Sequence, residues 1–118
     1  MKKEILMPDY HHSILNMLTS ILKNYGANTK HTTLPILDDI LKKDYKNIVL
    51  VVLDGMGHNV LQNSSPNGEF AKHEIDVITS VYPCTTTAAL TTYYSAKSPL
   101  ETGWIAWSQY FKELRKIH

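Results

Sequence analysis

The chain has 118 residues, 43% of them apolar, and a formal net charge of +1. That length allows one domain with a modest core, and so small a charge gives no electrostatic reason to expect nucleic acid or an anionic membrane as partner. The single cysteine, Cys84, excludes an intrachain disulfide framework and suits a reducing compartment.

Near the start, the apolar run from Ile5 to Met7 ends at Pro8 and Asp9, too short for a signal-peptide core or a membrane span. The expected location is cytoplasmic. The first periodic segment covers residues 9–25. Ile14, Leu15, Leu18, Ile21 and Leu22 recur at three- and four-residue spacing, which predicts an amphipathic helix capped by Asp9 and ended by Gly26. A shorter helix follows, with Thr33 as cap and Pro35 in its first turn. Its buried face is Ile36, Leu37, Ile40 and Leu41, with Lys42 and Lys43 complementing the C-terminal end.

Residues 47–53 read NIVLVVL, an apolar run rich in β-branched types. The absence of polar alternation predicts a strand covered on both faces, as in a parallel sheet. It leads into Asp54-Gly55-Met56-Gly57. A short helix near residues 58–62 and a loop at Ser64 to Gly68 come next, then a second strand over residues 75–81. Strand, crossover, strand and helix in that order predict an α/β fold, a partial parallel sheet flanked by helices. Residues 103–107 are expected as a further strand and residues 109–117 as a short helix. The domain reading is one unit over 1–118, a helical lead-in at 1–44 followed by a strand-and-nucleophile segment at 45–118.

In an open α/β sheet, ligands gather beyond the carboxyl ends of the strands. Asp54 and the run Thr85-Thr86-Thr87 both fall at such ends. A carboxylate beside two glycines suits a hard metal ion, since the missing side chains allow close approach; Asp54-Gly55 reads equally well as a turn leaving a strand. For the threonines, a helix starting near Thr85 or Thr86 points unpaired amides and a positive dipole end at the loop, which can favour an alkoxide or bind a phosphate. Ser and Thr are also ordinary N-caps. Cys84 reads as a small filler, because Leu90 stands where a cysteine phosphatase would have arginine. His58 shares a D-x-x-x-H spacing with Asp54 but is expected to be solvated or locally hydrogen-bonded. His11 and His12 are expected to face solvent, and His31, His73 and His118 suggest no partner.

Two of these segments, NIVLVVLDGMG and VYPCTTTAALTTYYSAKSPLETGW, together resemble the start of the type I phosphodiesterase/nucleotide pyrophosphatase family of the alkaline phosphatase superfamily. Pro83 and Thr86 match its Y-P-x-x-T opening, and Pro99 and Gly103 match its P-x-x-H-G element. Thr102 stands where the family often has histidine, and Ala96-Lys97 where it usually has Gly-Leu. The resemblance implies the N-terminal part of an alkaline-phosphatase-like fold, Thr86 as nucleophile and metal contact, and Asp54 as metal ligand. It implies two divalent ions, zinc or else manganese, in a complete enzyme, and one at best in this chain. The family's Asp-x-x-x-His, Asp-His and further His ligands come later than these segments, and the chain has no Asp-His pair.

The expected function is therefore the N-terminal part of a metal-dependent hydrolase of phosphodiester or phosphomonoester substrates, inactive as this isolated chain. Its partners are a small phosphate ester and either a second copy or the C-terminal portion that the family implies. The alternative is a non-catalytic α/β module binding a protein through an open sheet edge. Trp104, Trp107, Tyr110 and Phe111 bring aromatic surface that needs cover, on a partner or on the first helix. A helix-turn-helix reading of the two N-terminal helices lacks the basic stripe it would need.

Overall fold

The structure is a computed structural model and describes residues 6–117. Its elements in chain order are α1 (Ile14–Asn24), α2 (Pro35–Leu41), α3 (His58–Ser64), α4 (Glu69–Lys72), α5 (Thr86–Ser95), α6 (Pro99–Thr102), β1 (Tyr110–Phe111) and β2 (Lys116–Ile117). The chain forms two compact units: Met1–Asp44 with Thr79–His118, and Tyr45–Ile78.

The first unit is built on α1, which packs against α2 and α5. Its core is Ile14, Leu15, Leu18, Leu34, Leu41, Val81 and Ala88. Leu15 and Val81 lose all solvent contact, and burial of a side chain of that size contributes about 1.5–3 kcal/mol. Ile14, Leu15 and Leu18 of the sequence-predicted stripe are inside, while Leu22 is exposed.

The helix begins later than expected. Asp9 instead closes a turn, its carboxylate accepting from the His11 N–H at 2.9 Å and its carbonyl from the His12 N–H at 2.8 Å. Ser13 becomes the N-cap, its N–H and hydroxyl both donating to Asn16 Oδ1 at 2.9 and 2.7 Å. Gly26 ends the helix as predicted, at φ +78. In α2 the cap is Leu34 rather than Thr33. The buried Ser20 hydroxyl accepts from the Leu34 N–H at 2.9 Å, so the cap residue is fixed by α1 rather than by its own side chain. Of the expected face only Leu41 is buried.

The expected parallel sheet is not formed among the described residues. The sole ladder is the antiparallel pair β1–β2, with Tyr110 opposite Ile117 and Phe111 opposite Lys116. Residues 47–53 carry no strand and lie exposed to solvent except for half-buried Ile48. A β-branched run is a strand only where a neighbour accepts its backbone bonds and packs on its faces, and no described segment does so. The second expected strand, 75–81, is reduced to one parallel bridge between Ser13 and Thr79. There the Thr79 N–H donates to the His12 carbonyl and the Ile14 N–H to the Thr79 carbonyl, each at 3.0 Å.

The end of the chain also differs from expectation. Residues 103–107 are not a strand, because Gly103 closes α6 in a left-handed conformation at φ +69 and no partner strand adjoins them. Residues 109–117 form a hairpin instead of a helix; nine residues are short of the length at which an isolated helix holds. Arg115 at φ +49 completes its loop. The Trp104 and Phe111 ring centroids lie 5.8 Å apart, while Trp107 and Tyr110 remain exposed.

The unit Tyr45–Ile78 holds α3 and α4, which pack on each other. The helix expected near residues 58–62 is present as α3. Gly68 closes the turn between the two helices tightly enough that a Cβ there would clash with Ser65 Oγ. None of this unit's residues is buried. No helix of the described residues is long and apolar enough to cross a membrane.

Candidate functional site

Thr86 is the first residue of α5, and Thr85 is its N-cap. The Thr85 hydroxyl accepts from the Ala88 N–H at 3.2 Å and donates to the Ile105 carbonyl at 3.4 Å. The Thr85 carbonyl takes the Ala89 N–H at 3.0 Å. Capping is thus carried by Thr85 alone. The half-buried Thr86 hydroxyl has no hydrogen-bond partner among the described residues, and the N–H groups of Thr86 and Thr87 point from the helix start unbonded. The Thr87 hydroxyl is buried without a partner. Farther along, Thr91 and Ser95 turn their hydroxyls back to the carbonyls of Thr87 and Thr91 at 2.8 and 2.6 Å, which takes them out of contention as nucleophiles. Burial pushes the Tyr93 hydroxyl pKa up, so this residue of α5 stays protonated.

Cys84 is exposed and free, so it does not fill a packing gap as expected. Thr102 uses its hydroxyl to close α6, donating to the Pro99 carbonyl at 3.4 Å and accepting from the Trp104 N–H at 3.3 Å. Ala96 ends α5 in a left-handed conformation, φ +50 and ψ +38. That is the conformation for which glycine, the residue the resemblance places there, is suited.

Asp54 belongs to the other unit. It lies exposed in a turn that the Met56 N–H closes on the Leu53 carbonyl at 3.3 Å, with Gly55 at φ +72. The turn reading of Asp54-Gly55 is therefore realised, without a strand before it. His58 opens α3 and is locally bonded, its Nδ1 2.9 Å from Glu74 Oε1.

Among the described residues, no three His, Cys, Asp or Glu side chains come together as a metal ligand set. Around Thr86 the chain supplies alcohols and amides, not the histidines and carboxylates of a two-metal centre. The residues present do not fit that centre.

No protein-family model, curated protein or solved structure matches this chain.

The first unit also holds a concavity that has no signature in the sequence. An open cleft of about 430 Å³ is lined by Leu22, Thr29, His31, Ser95, Lys97 and Glu101, among others. Glu101 organises it by accepting from Ser98 and His31. The spacing Ser98-x-x-Glu101 is a capping box and was readable as one. Nothing in the sequence tied His31 to it.

Proposed function

We propose that this chain carries the nucleophile-bearing part of a phosphate-ester hydrolase of the cytoplasm, with Thr86 as the attacking residue. The observation that supports this reading is the division of labour between two adjacent threonines: Thr85 caps α5, while the Thr86 hydroxyl stays unengaged beside unbonded amides. A phosphoryl oxygen of the substrate would take those amides. The Thr86 oxygen would then bond to phosphorus as the ester oxygen leaves with a proton, and water would release the phosphothreonine. The substrate is a small phosphodiester or phosphomonoester. Divalent ions, zinc or manganese, enter this reading only through the family resemblance, since the described residues around Thr86 do not supply a ligand set for them.

The test is hydrolysis of bis(p-nitrophenyl) phosphate, with zinc or manganese added. The 118-residue chain is compared with the same chain joined to whatever its reading frame encodes next. Turnover is expected only in the longer protein, with a frame that supplies Asp-x-x-x-His and Asp-His, and Thr86→Ala should lower it by about 10³-fold or more. A frame without those ligands, a longer protein without turnover, or unchanged turnover in Thr86→Ala would each overturn the reading.

A further inference from the structure

Residues 46–54 read KNIVLVVLD, an uncharged seven-residue run between one cation and one anion. The stretch carries no regular secondary structure and lies between two residues in left-handed conformations, Asp44 at φ +53 and Gly55 at φ +72. Within it Val49 is 82% exposed and Val51 70% exposed. The only hydrogen bond to the backbone of residues 47–53 among the described residues is the one from the Met56 N–H to the Leu53 carbonyl. Bare backbone on both edges and apolar side chains on both faces are the features of a strand that lacks its neighbours. Six consecutive apolar residues, Ile48 to Leu53, rich in β-branched types and without proline, glycine or charge, also form the kind of segment that pairs with copies of itself.

We propose that residues 46–54 pair with the same residues of a second copy of this chain, as a two-fold antiparallel ladder centred on Leu50. Charge selects that register. With Leu50 opposite Leu50, Ile48 faces Val52, Val49 faces Val51, and Lys46 faces Asp54 at both ends, so the apolar run is closed by two ion pairs. Lys46 and Asp54 are both exposed, so each is available for this contact. A parallel in-register pair would set Lys46 on Lys46 and Asp54 on Asp54. Moving the centre to Val51 puts Asp54 opposite Ile48, and moving it to Val49 puts Asp54 opposite Asp44. Opposite charges on directly facing residues stabilise a sheet, and like charges there destabilise it. The alternation of side chains places Lys46, Ile48, Leu50, Val52 and Asp54 on one face and Asn47, Val49, Val51 and Leu53 on the other.

This inference does not rest on the catalytic reading, since its test reads association and not hydrolysis. Sedimentation equilibrium of the 118-residue chain between roughly 1 and 200 µM, a range in which interfaces of modest affinity are read, should show reversible dimers. Leu50→Lys should leave a monomer with an unchanged far-UV spectrum. Lys46→Glu should weaken association about tenfold, by turning both end pairs into repulsions, and adding Asp54→Lys should restore it. A chain that is monomeric throughout the range would overturn the proposal. So would dimers that Leu50→Lys leaves intact, or a double charge reversal that fails to restore what Lys46→Glu removed.

Discussion

His31 Nε2 lies 2.8 Å from Glu101 Oε2, a contact between positions 70 residues apart. The same oxygen accepts from the Ser98 N–H at 2.8 Å and the Ser98 hydroxyl at 2.9 Å. The bond from the Ser98 backbone, with lesser help from its hydroxyl and from His31, holds the Glu101 carboxyl below its ordinary value of 4.5. A carboxyl lowered in the folded state stabilises that state above its unfolded pKa, and the contribution is lost as pH falls through the folded value. Urea unfolding of the native chain should therefore weaken as the pH drops below about 4.5. Glu101→Gln should be less stable at pH 7, by less than about 1 kcal/mol because solvent screens the exposed carboxylate, and should lose part of that acid dependence. Parallel stability curves for the two proteins from pH 6 to 3 would refute the assignment.

Thr85 and Thr86 should respond in opposite ways to the same substitution. Thr85→Ala removes the side-chain acceptor of the Ala88 N–H and should cost about 1 kcal/mol, within the range for N-caps. Thr86→Ala removes a hydroxyl with no protein partner from a first-turn position, where alanine is the better helix former, and should change stability by less than about 0.5 kcal/mol. Chemical denaturation of the two variants measures this directly. Equal losses would mean that Thr86 is structural.

Ala96 sits at φ +50, a region that costs a residue with a Cβ about 1–2 kcal/mol. Glycine has no such cost there but loses more backbone freedom on folding. The balance should favour Ala96→Gly by about 0.5–1 kcal/mol, read as a rise in the thermal midpoint. A lower midpoint would show that the Ala96 methyl contributes packing that outweighs its backbone strain.

What could be read from the chain was local. Gly26, the start of α5 and the short helix α3 follow from nearby spacing and capping chemistry, and all three are present. The sheet expected over residues 47–53 and 75–81 rests on compositions that specify strands but not the neighbours a strand requires. Half the information needed for that prediction lies outside the segments, which is why it failed. The site shows the same limit. The sequence indicated that Thr85 and Thr86 flank a helix start, but only the structure shows Thr85 taking the capping bond. His31 and Glu101 needed a long-range contact that no local pattern encodes.

The Thr92 side chain is almost completely buried on α5 with an unpaired hydroxyl. An unsatisfied buried hydroxyl costs about 1–3 kcal/mol relative to an apolar group of the same shape. Thr92→Val keeps the β-branched outline and should raise stability by about 1 kcal/mol. A destabilised valine variant would place a polar partner, such as a water molecule, at that hydroxyl.

Asn16 links separate segments of the first unit through its buried side chain. It is fully buried, and its Oδ1 accepts from Ser13. Its Nδ2 donates to the carbonyls of Tyr10 and Thr32 at 2.8 and 2.9 Å and contacts the Thr32 hydroxyl at 3.0 Å. One side chain thus joins the loop before α1 to the loop before α2. Asn16→Leu would strand the Ser13 N–H and both carbonyls inside, and should cost about 2–4 kcal/mol. Asn16→Asp tests the polarity of the arrangement, because a carboxylate keeps the acceptor for Ser13 but faces two carbonyl oxygens where a donor stood. Burial and those oxygens would raise the new carboxyl's folded pKa above its unfolded value. The variant should therefore be least stable near pH 7 and gain stability as the pH falls toward 4, the reverse of the Glu101 dependence. Unfolding midpoints for Asn16→Asp that fall with acidification from pH 7 to 4 would contradict the donor role of Nδ2.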